Sequence, residues 1–94
     1  SEFFQRVEQA VMAMPKGSLI LTDFIGGTTS NVAARLSVDY PIGVICGLNA
    51  SLLLQALELR ETGLLTDAIE QLVEAGRDSC LDVVAHINSL QSNA

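Results

Sequence analysis

Residues 18–36 read SLILTDFIGGTTSNVAARL, in which a short apolar run passes through a pair of glycines into a segment typical of a helix. An apolar run without alternation indicates a strand that is buried on both faces, as in a parallel sheet. The run therefore predicts a strand over residues 18–22 and a helix over residues 31–36. Three residues that favour the N-cap position come directly before this helix: Thr28, Thr29 and Ser30.

The same order of elements repeats in the flanking sequence. Residues 42–46, IGVIC, predict a second buried strand, and Asn49 is a suitable N-cap for a helix over residues 50–60. Upstream, apolar residues three and four positions apart predict a helix over residues 3–14, which Pro15 would end.

The C-terminal part of the sequence predicts one long helix. Apolar residues recur there at helical spacing, and Gly76 lies on the apolar stripe. We therefore expect a helix over residues 66–90 with Gly76 at a point of close packing. The alternative is two helices that break at Gly76, because glycine weakens a helix.

This order of elements is typical of an α/β fold, an open and mainly parallel sheet flanked by helices. Two parallel strands this apolar are not expected at the open edges of a sheet. The fold is therefore expected to be incomplete in this chain, with two strands identified and N-terminal strands missing. At least one strand should pair with a strand from outside the chain or from a second copy.

The composition indicates one acidic globular domain. The chain has 94 residues, of which 49 % are hydrophobic and 17 % charged, and its net charge is −6. This length allows one domain, and the apolar content excludes a disordered acidic tail. The negative charge argues against nucleic acid and anionic membrane as partners and favours a basic protein or a neutral ligand.

Neither a membrane span nor a signal peptide is predicted. No apolar run reaches the ~18 to 20 residues that a span needs, and the first residues, SEFFQR, contain no basic region ahead of an apolar block. Cys46 and Cys80 lie in apolar segments without metal-ligand spacing, which predicts reduced core thiols in a cytosolic protein. No metal site and no cofactor are predicted.

The candidate site follows from the topology, because open α/β sheets bind ligands beyond the carboxyl ends of their strands. Residues 23–31 and 46–49 leave the predicted strands at that edge. In the first loop the glycines allow close approach of the backbone, the hydroxyl side chains donate hydrogen bonds, and the helix that follows attracts negative charge. These features predict an anion or phosphoryl site, with Asp23 placed to orient a histidine or hold a proton.

Each of these features has a structural alternative. The loop could be an ordinary turn that caps its helix, and Asp23 could cap a backbone turn. Asn49 is better explained as a helix cap than as a ligand contact, and His86, the one histidine, as a surface residue. The sequence contains no Walker motif, no GxGxxG and no catalytic-triad pattern.

Residues 19–35 resemble the mannose-family IIA domain of the bacterial sugar phosphotransferase system. That family shows an apolar strand, Asp, two bulky residues, Gly-Gly, Ser-Pro, a further residue and Asn, and then an Ala-rich helix. Residues 44–49, followed by two leucines, are similar to its strand, Gly-x-Asn turn and helix, and residues 75–77 are similar to its ending. The resemblance covers essentially the whole chain.

The resemblance implies a phosphoryl carrier, in which a histidine takes phosphate from the phosphocarrier HPr and passes it to a IIB domain during sugar uptake. It implies that Asp23 orients this histidine and that Thr28 steadies the phosphoryl group. The implied phosphate-binding loop and one candidate loop contact comprise Gly26, Gly27, Thr28, Thr29 and Asn49.

The chain departs from the family pattern in two ways. Thr28-Thr29 stands where Ser-Pro is usual. The first strand of the family, which carries the histidine, is absent from the sequence, and His86 does not match the family nucleophile. We therefore interpret residues 1–94 as a partial mannose-family IIA phosphocarrier domain, about its last two thirds, and we expect the sequence to come from a truncated, cleaved or incomplete form.

The resemblance further implies a cytoplasmic homodimer that contacts HPr and a IIB domain, with no nucleic-acid partner and no insertion into the membrane. A different class of function also fits, a non-enzymatic α/β regulatory or dimerisation module whose Gly-Gly loop only caps a helix. A response-regulator-like receiver fits less well, because it needs clustered acidic residues at strand ends and only Asp23 is present.

Overall fold

The computed structural model describes residues 1–23 and 25–92. The helices and strands alternate through the first half of the chain, and helices follow one another in the second half. A short 3-10 helix, Leu65–Ala68, comes before the fourth α-helix. The other elements are α1 (Glu2–Met12), β1 (Ser18–Leu21), α2 (Thr28–Leu36), β2 (Ile42–Ile45), α3 (Ala50–Leu59), α4 (Ile69–Asp78) and α5 (Val83–Ser92).

The two strands are parallel, as predicted, and the α/β class is confirmed. Their register runs from Ser18 opposite Ile42 to Leu21 opposite Ile45. The pairing continues one residue further, because the Thr22 N–H donates to the Ile45 carbonyl at 2.9 Å. A further strand partner for β1 or β2 stays a prediction.

Apolar side chains are buried on both faces of this sheet. On one face Ile45 packs with residues of α3 and α4, among them Leu52 and Leu72. On the other face Ile42 packs with Val11 of α1 and Leu36 of α2. Because both faces of the sheet are buried, the sequences of the two strands are continuous apolar runs and do not alternate with polar residues.

The prediction of one long C-terminal helix is wrong. α4 ends at Asp78, α5 begins at Val83, and Gly76 lies inside α4, so a break at Gly76 is also wrong. The Ser79 hydroxyl donates to the Gly76 carbonyl at 2.7 Å and competes with the helical hydrogen bond there. Asp82 then begins a new helix by accepting from the Ala85 N–H at 3.1 Å.

Gly76 does lie at a contact between helices, as predicted. A Cβ atom at this position would stand 3.8 Å from the Cβ of Leu52 in α3. This is ordinary van der Waals distance, so the backbone of α4 packs directly on α3.

α5 lies outside the packed part of the fold. Every residue from 81 to 91 is exposed, including its large apolar side chains. The molecule is correspondingly long, with extents of 55 × 30 × 16 Å and a radius of gyration of 16.3 Å. A compact chain of this length would have a radius of gyration of about 12 Å.

The prediction that both cysteines are core thiols is wrong. Cys46 and Cys80 are free thiols, but both are exposed. Cys46 comes after the last residue of β2, and Cys80 lies in the turn between α4 and α5, so neither is covered by the helices. Across the part of the chain that the structure describes, no helix is long and apolar enough to cross a membrane.

Candidate functional site

The loops that leave β1 and β2 lie side by side at the carboxyl edge of the sheet. The Leu48 N–H donates to the Thr22 carbonyl at 2.9 Å, and the Gly47 N–H donates to the Asp23 carbonyl at 3.0 Å. These backbone hydrogen bonds fix the start of the first loop against the second. The expectation that both loops meet at one edge is therefore correct.

The first loop enters α2 through two glycines. Gly26 has φ +85°, a left-handed conformation that glycine adopts without strain. Gly27 is the N-cap, with φ −76° and ψ 162°, and it has no side chain with which to cap the helix. The prediction that a hydroxyl residue caps this helix is wrong, because the helix begins at Thr28, three residues earlier than expected.

The early start of α2 changes the position of the hydroxyl residues. Thr28 and Thr29 form the first turn of the helix and are exposed to solvent, and Asp23 is exposed at the other end of the loop. The helix N-terminus carries the positive end of the backbone dipole, which favours an anion. A solvent-accessible loop of this kind can be reached by another protein, and the roles assigned to its residues stay predictions.

Ser30 faces inward and meets Thr22. Their hydroxyl oxygens are 2.6 Å apart, and the two residues are only 7 % and 6 % exposed. This contact joins the end of β1 to the first turn of α2, on either side of the loop. Sequence reasoning missed it, although a threonine that ends an apolar strand and a serine eight residues later were visible signals.

Both polar atoms of the Asn49 side-chain amide form hydrogen bonds. Its Oδ1 accepts from the Leu52 N–H at 2.9 Å, which confirms the predicted cap of α3. Its Nδ2 donates to the Gly76 carbonyl of α4 at 3.3 Å. The structure thus gives Asn49 a structural role, and contact with a ligand stays a prediction.

Replacing Asn49 with alanine should lower the free energy of unfolding by about 1–2 kcal/mol, because the helix cap is lost together with a partly buried hydrogen bond. Asn49→Asp keeps the acceptor that caps α3 and should recover most of this loss. Urea denaturation of the two variants checks the prediction. Equal destabilisation by both substitutions would show that loss of the helix cap does not cause the decrease in the free energy of unfolding.

A cleft of about 430 Å³ lies beside the end of β2. Its floor is apolar, with Leu52 and Val73 among its residues, and Cys46 and Arg77 also line it. Arg77 is in the last turn of α4, where a positive charge is favourable. Sequence reasoning assigned no role to Arg77 at this edge, because the contact depends on how α4 packs across the sheet.

The structure does not bring His86 to the loops. It lies exposed in α5, where its backbone N–H donates to the Asp82 carbonyl at 3.0 Å. The interpretation of His86 as a surface residue is confirmed. Among residues 1–23 and 25–92, no cluster of three or more His, Cys, Asp or Glu residues could hold a metal ion.

Comparison with known protein families gives a match over most of the chain. Residues 1–74 match the family EIIA-man, described as PTS system fructose IIA component. Comparisons with curated proteins and with solved structures gave no match. Because the match covers 74 of 94 residues, the chain belongs to the PTS system fructose IIA component family and is, in general terms, a phosphotransferase component of a sugar-transport system.

Proposed function

We propose that residues 1–94 form part of a mannose-family IIA phosphocarrier domain, which takes phosphate from HPr on a histidine and passes it to a IIB domain in the cytoplasm. The observation that carries the proposal is the position of the Asp23 loop. This loop connects a carboxylate at the end of a strand to a helix N-terminus that is capped by glycine, and both lie at one edge of the sheet. The chain that carries this arrangement belongs to the IIA family.

The chemistry assigned here is transfer of a phosphoryl group between histidines. A nitrogen–phosphorus bond forms on the accepting ring nitrogen while the bond to the donor ring breaks. Asp23 accepts a hydrogen bond from the other ring nitrogen and thereby keeps the attacking nitrogen deprotonated. The Thr28 hydroxyl and the start of α2 donate to the phosphoryl oxygens.

The accepting histidine is, in this proposal, not His86. His86 is exposed in α5, on an element that does not form part of the loop region. The proposal therefore assigns phosphate to a histidine outside residues 1–94, at the end of a further strand of the sheet. The Asp23 carboxylate would meet that histidine at the carboxyl edge.

The proposal is tested by incubating the complete gene product with phosphorylated HPr and measuring acid-labile phosphate on histidine. We expect the complete protein and its His86→Ala variant to be phosphorylated equally and to discharge to the IIB domain. Phosphate on His86 would contradict the assignment of the nucleophile. A folded protein that takes up no phosphate would favour the non-enzymatic regulatory or dimerisation module.

We further propose that the protein is a homodimer with α5 in the interface. The described part of α5 exposes several large apolar side chains, and contiguous exposed apolar patches on soluble proteins generally mark interaction sites. Those on and directly before the helix are Leu81, Val83, Val84, Ile87 and Leu90, each between 47 % and 69 % exposed.

Sedimentation of the 94-residue chain should give twice the chain mass of 10.0 kDa. The double variant Val84→Asp and Ile87→Asp should give a monomer, because charge opposes burial of the helix. His86→Ala is the matched control on the same helix and should leave the dimer intact. A monomeric wild-type chain at high concentration would contradict the proposal.

A further inference from the structure

The hydroxyl groups of Thr22 and Ser30 meet next to the proposed phosphoryl site. Both hydroxyl groups are buried, and their oxygens are 2.6 Å apart, which is short for a hydrogen bond between hydroxyls. The two residues lie eight positions apart in sequence, so the bond closes a ring around the loop of residues 23–29. Every residue assigned to phosphoryl transfer in the first loop lies inside this ring.

The described residues of the loop are mostly exposed to solvent. Asp23, Ile25, Gly26, Thr28 and Thr29 are all exposed, and the Ile25 side chain is 81 % exposed. Gly26 is in a left-handed conformation, and a Cβ there would meet no atom within 4 Å. Segments with few buried contacts are the least stable parts of a fold, so these residues depend on the elements at either end.

The two ends are held in different ways. At the start, backbone hydrogen bonds to Gly47 and Leu48 fix Thr22 and Asp23 against the second loop. At the far end, the N-cap Gly27 has no side chain, and the Ser30 hydroxyl is directed to Thr22. The hydroxyl pair therefore fixes the distance and orientation between the end of β1 and the start of α2.

We propose that Thr22 and Ser30 are positioning residues whose paired hydroxyls hold Asp23 and the first turn of α2 in the relative positions that phosphoryl transfer requires. This inference rests on the proposed function only where phosphoryl transfer is measured, because hydrogen exchange can be measured without it. The pair touches neither the phosphoryl group nor the accepting histidine. It acts by holding Asp23 and Thr28 in fixed relative positions.

The decisive variant is the double substitution Thr22→Val and Ser30→Ala. It removes both hydroxyls together, so neither is left buried without the other, and the loss is limited to that of one neutral hydrogen bond. The fold should therefore survive while the loop loses its closure. Thr22→Ser keeps a hydroxyl at the same position and serves as the conservative variant, and Thr62→Val removes an exposed hydroxyl elsewhere as a matched control.

The first measurement is amide hydrogen exchange, which needs no partner protein. In the double variant, exchange of the Asn31 and Gly47 amides, which donate to the Gly27 and Asp23 carbonyls at the two ends of the loop, should rise by about five- to tenfold, the factor for loss of one neutral hydrogen bond. Amides of β1 and β2 should exchange at wild-type rates, as should the whole of Thr22→Ser and Thr62→Val. Unchanged exchange of the Asn31 and Gly47 amides would overturn the proposal, and so would a uniform increase across the sheet.

The second measurement is phosphoryl transfer by the complete gene product. The double variant should lose about tenfold in kcat with KM for HPr unchanged, and Thr22→Ser should retain the wild-type value. A rise in KM with unchanged kcat would overturn the positioning role. If the wild-type protein takes up no phosphate, the proposed function fails, and hydrogen exchange alone decides whether the hydroxyl pair fixes the loop. Should the double variant not fold, the single variant Ser30→Ala is measured against Thr22→Ser by the same criteria.

Discussion

Asp23→Asn in the complete gene product should slow phosphoryl transfer from HPr by about 100-fold or more, the effect typical of a lost orienting group in a catalytic site. The amide cannot serve as the same anionic acceptor, so the accepting ring is no longer held in one tautomer. Asp23 is exposed, and its backbone carbonyl, which the substitution leaves in place, bonds to Gly47. The fold should therefore remain intact, which circular dichroism and thermal unfolding check.

Three further substitutions control this result. Thr28→Ala should have a smaller effect, because backbone N–H groups at the start of α2 still face the phosphoryl group. Thr28→Ser should be nearly silent, because it keeps the hydroxyl. Asp78→Asn removes an exposed carboxylate at the end of α4 and should leave the rate unchanged. Normal rates for Asp23→Asn would show that the carboxylate does not have its assigned role.

Leu72→Ala should lower the free energy of unfolding by about 2–5 kcal/mol, the range for removal of a fully buried leucine side chain. Leu72 has no exposed surface and packs with Ile45 and Leu52 between α4 and the sheet. A small domain has a total stability of about 5–15 kcal/mol, so this loss is a large share of it. Urea denaturation monitored by circular dichroism gives the measurement.

Leu54→Ala is the matched control, because Leu54 is 64 % exposed on α3. It removes the same atoms from a surface position and should change the stability by less than about 0.5 kcal/mol. Equal losses for the two variants would contradict the assignment of the core.

The strands and the first three helices could be predicted because their signals are local. Continuous apolar runs bounded by glycine, proline or asparagine define β1 and β2, and Asn49 caps its helix through an atom three residues away. The contact between the two loops also followed from sequence, because parallel strands bring their carboxyl ends to one edge.

The features that could not be predicted depend on atoms that are distant in sequence or on competition between signals. The apolar stripe of the C-terminal segment indicated one continuous helix. The signals that end one helix and begin the next are the side chains of Ser79 and Asp82, which are weaker in the sequence than the stripe. The exposure of Cys46 depends on where the helices stop covering the sheet. The pairing of Thr22 with Ser30 depends on the observed start of α2, because a serine at the N-cap would use its hydroxyl to accept from N–H groups of its own helix.

The carbonyl of Gly76 accepts two side-chain hydrogen bonds. One comes from Asn49, the cap of α3 in the loop after β2, and the other comes from Ser79, which ends α4 and precedes α5. Both segments are thus anchored to a single backbone oxygen, which holds the start of α3 and the C-terminal end of α4 at a fixed separation.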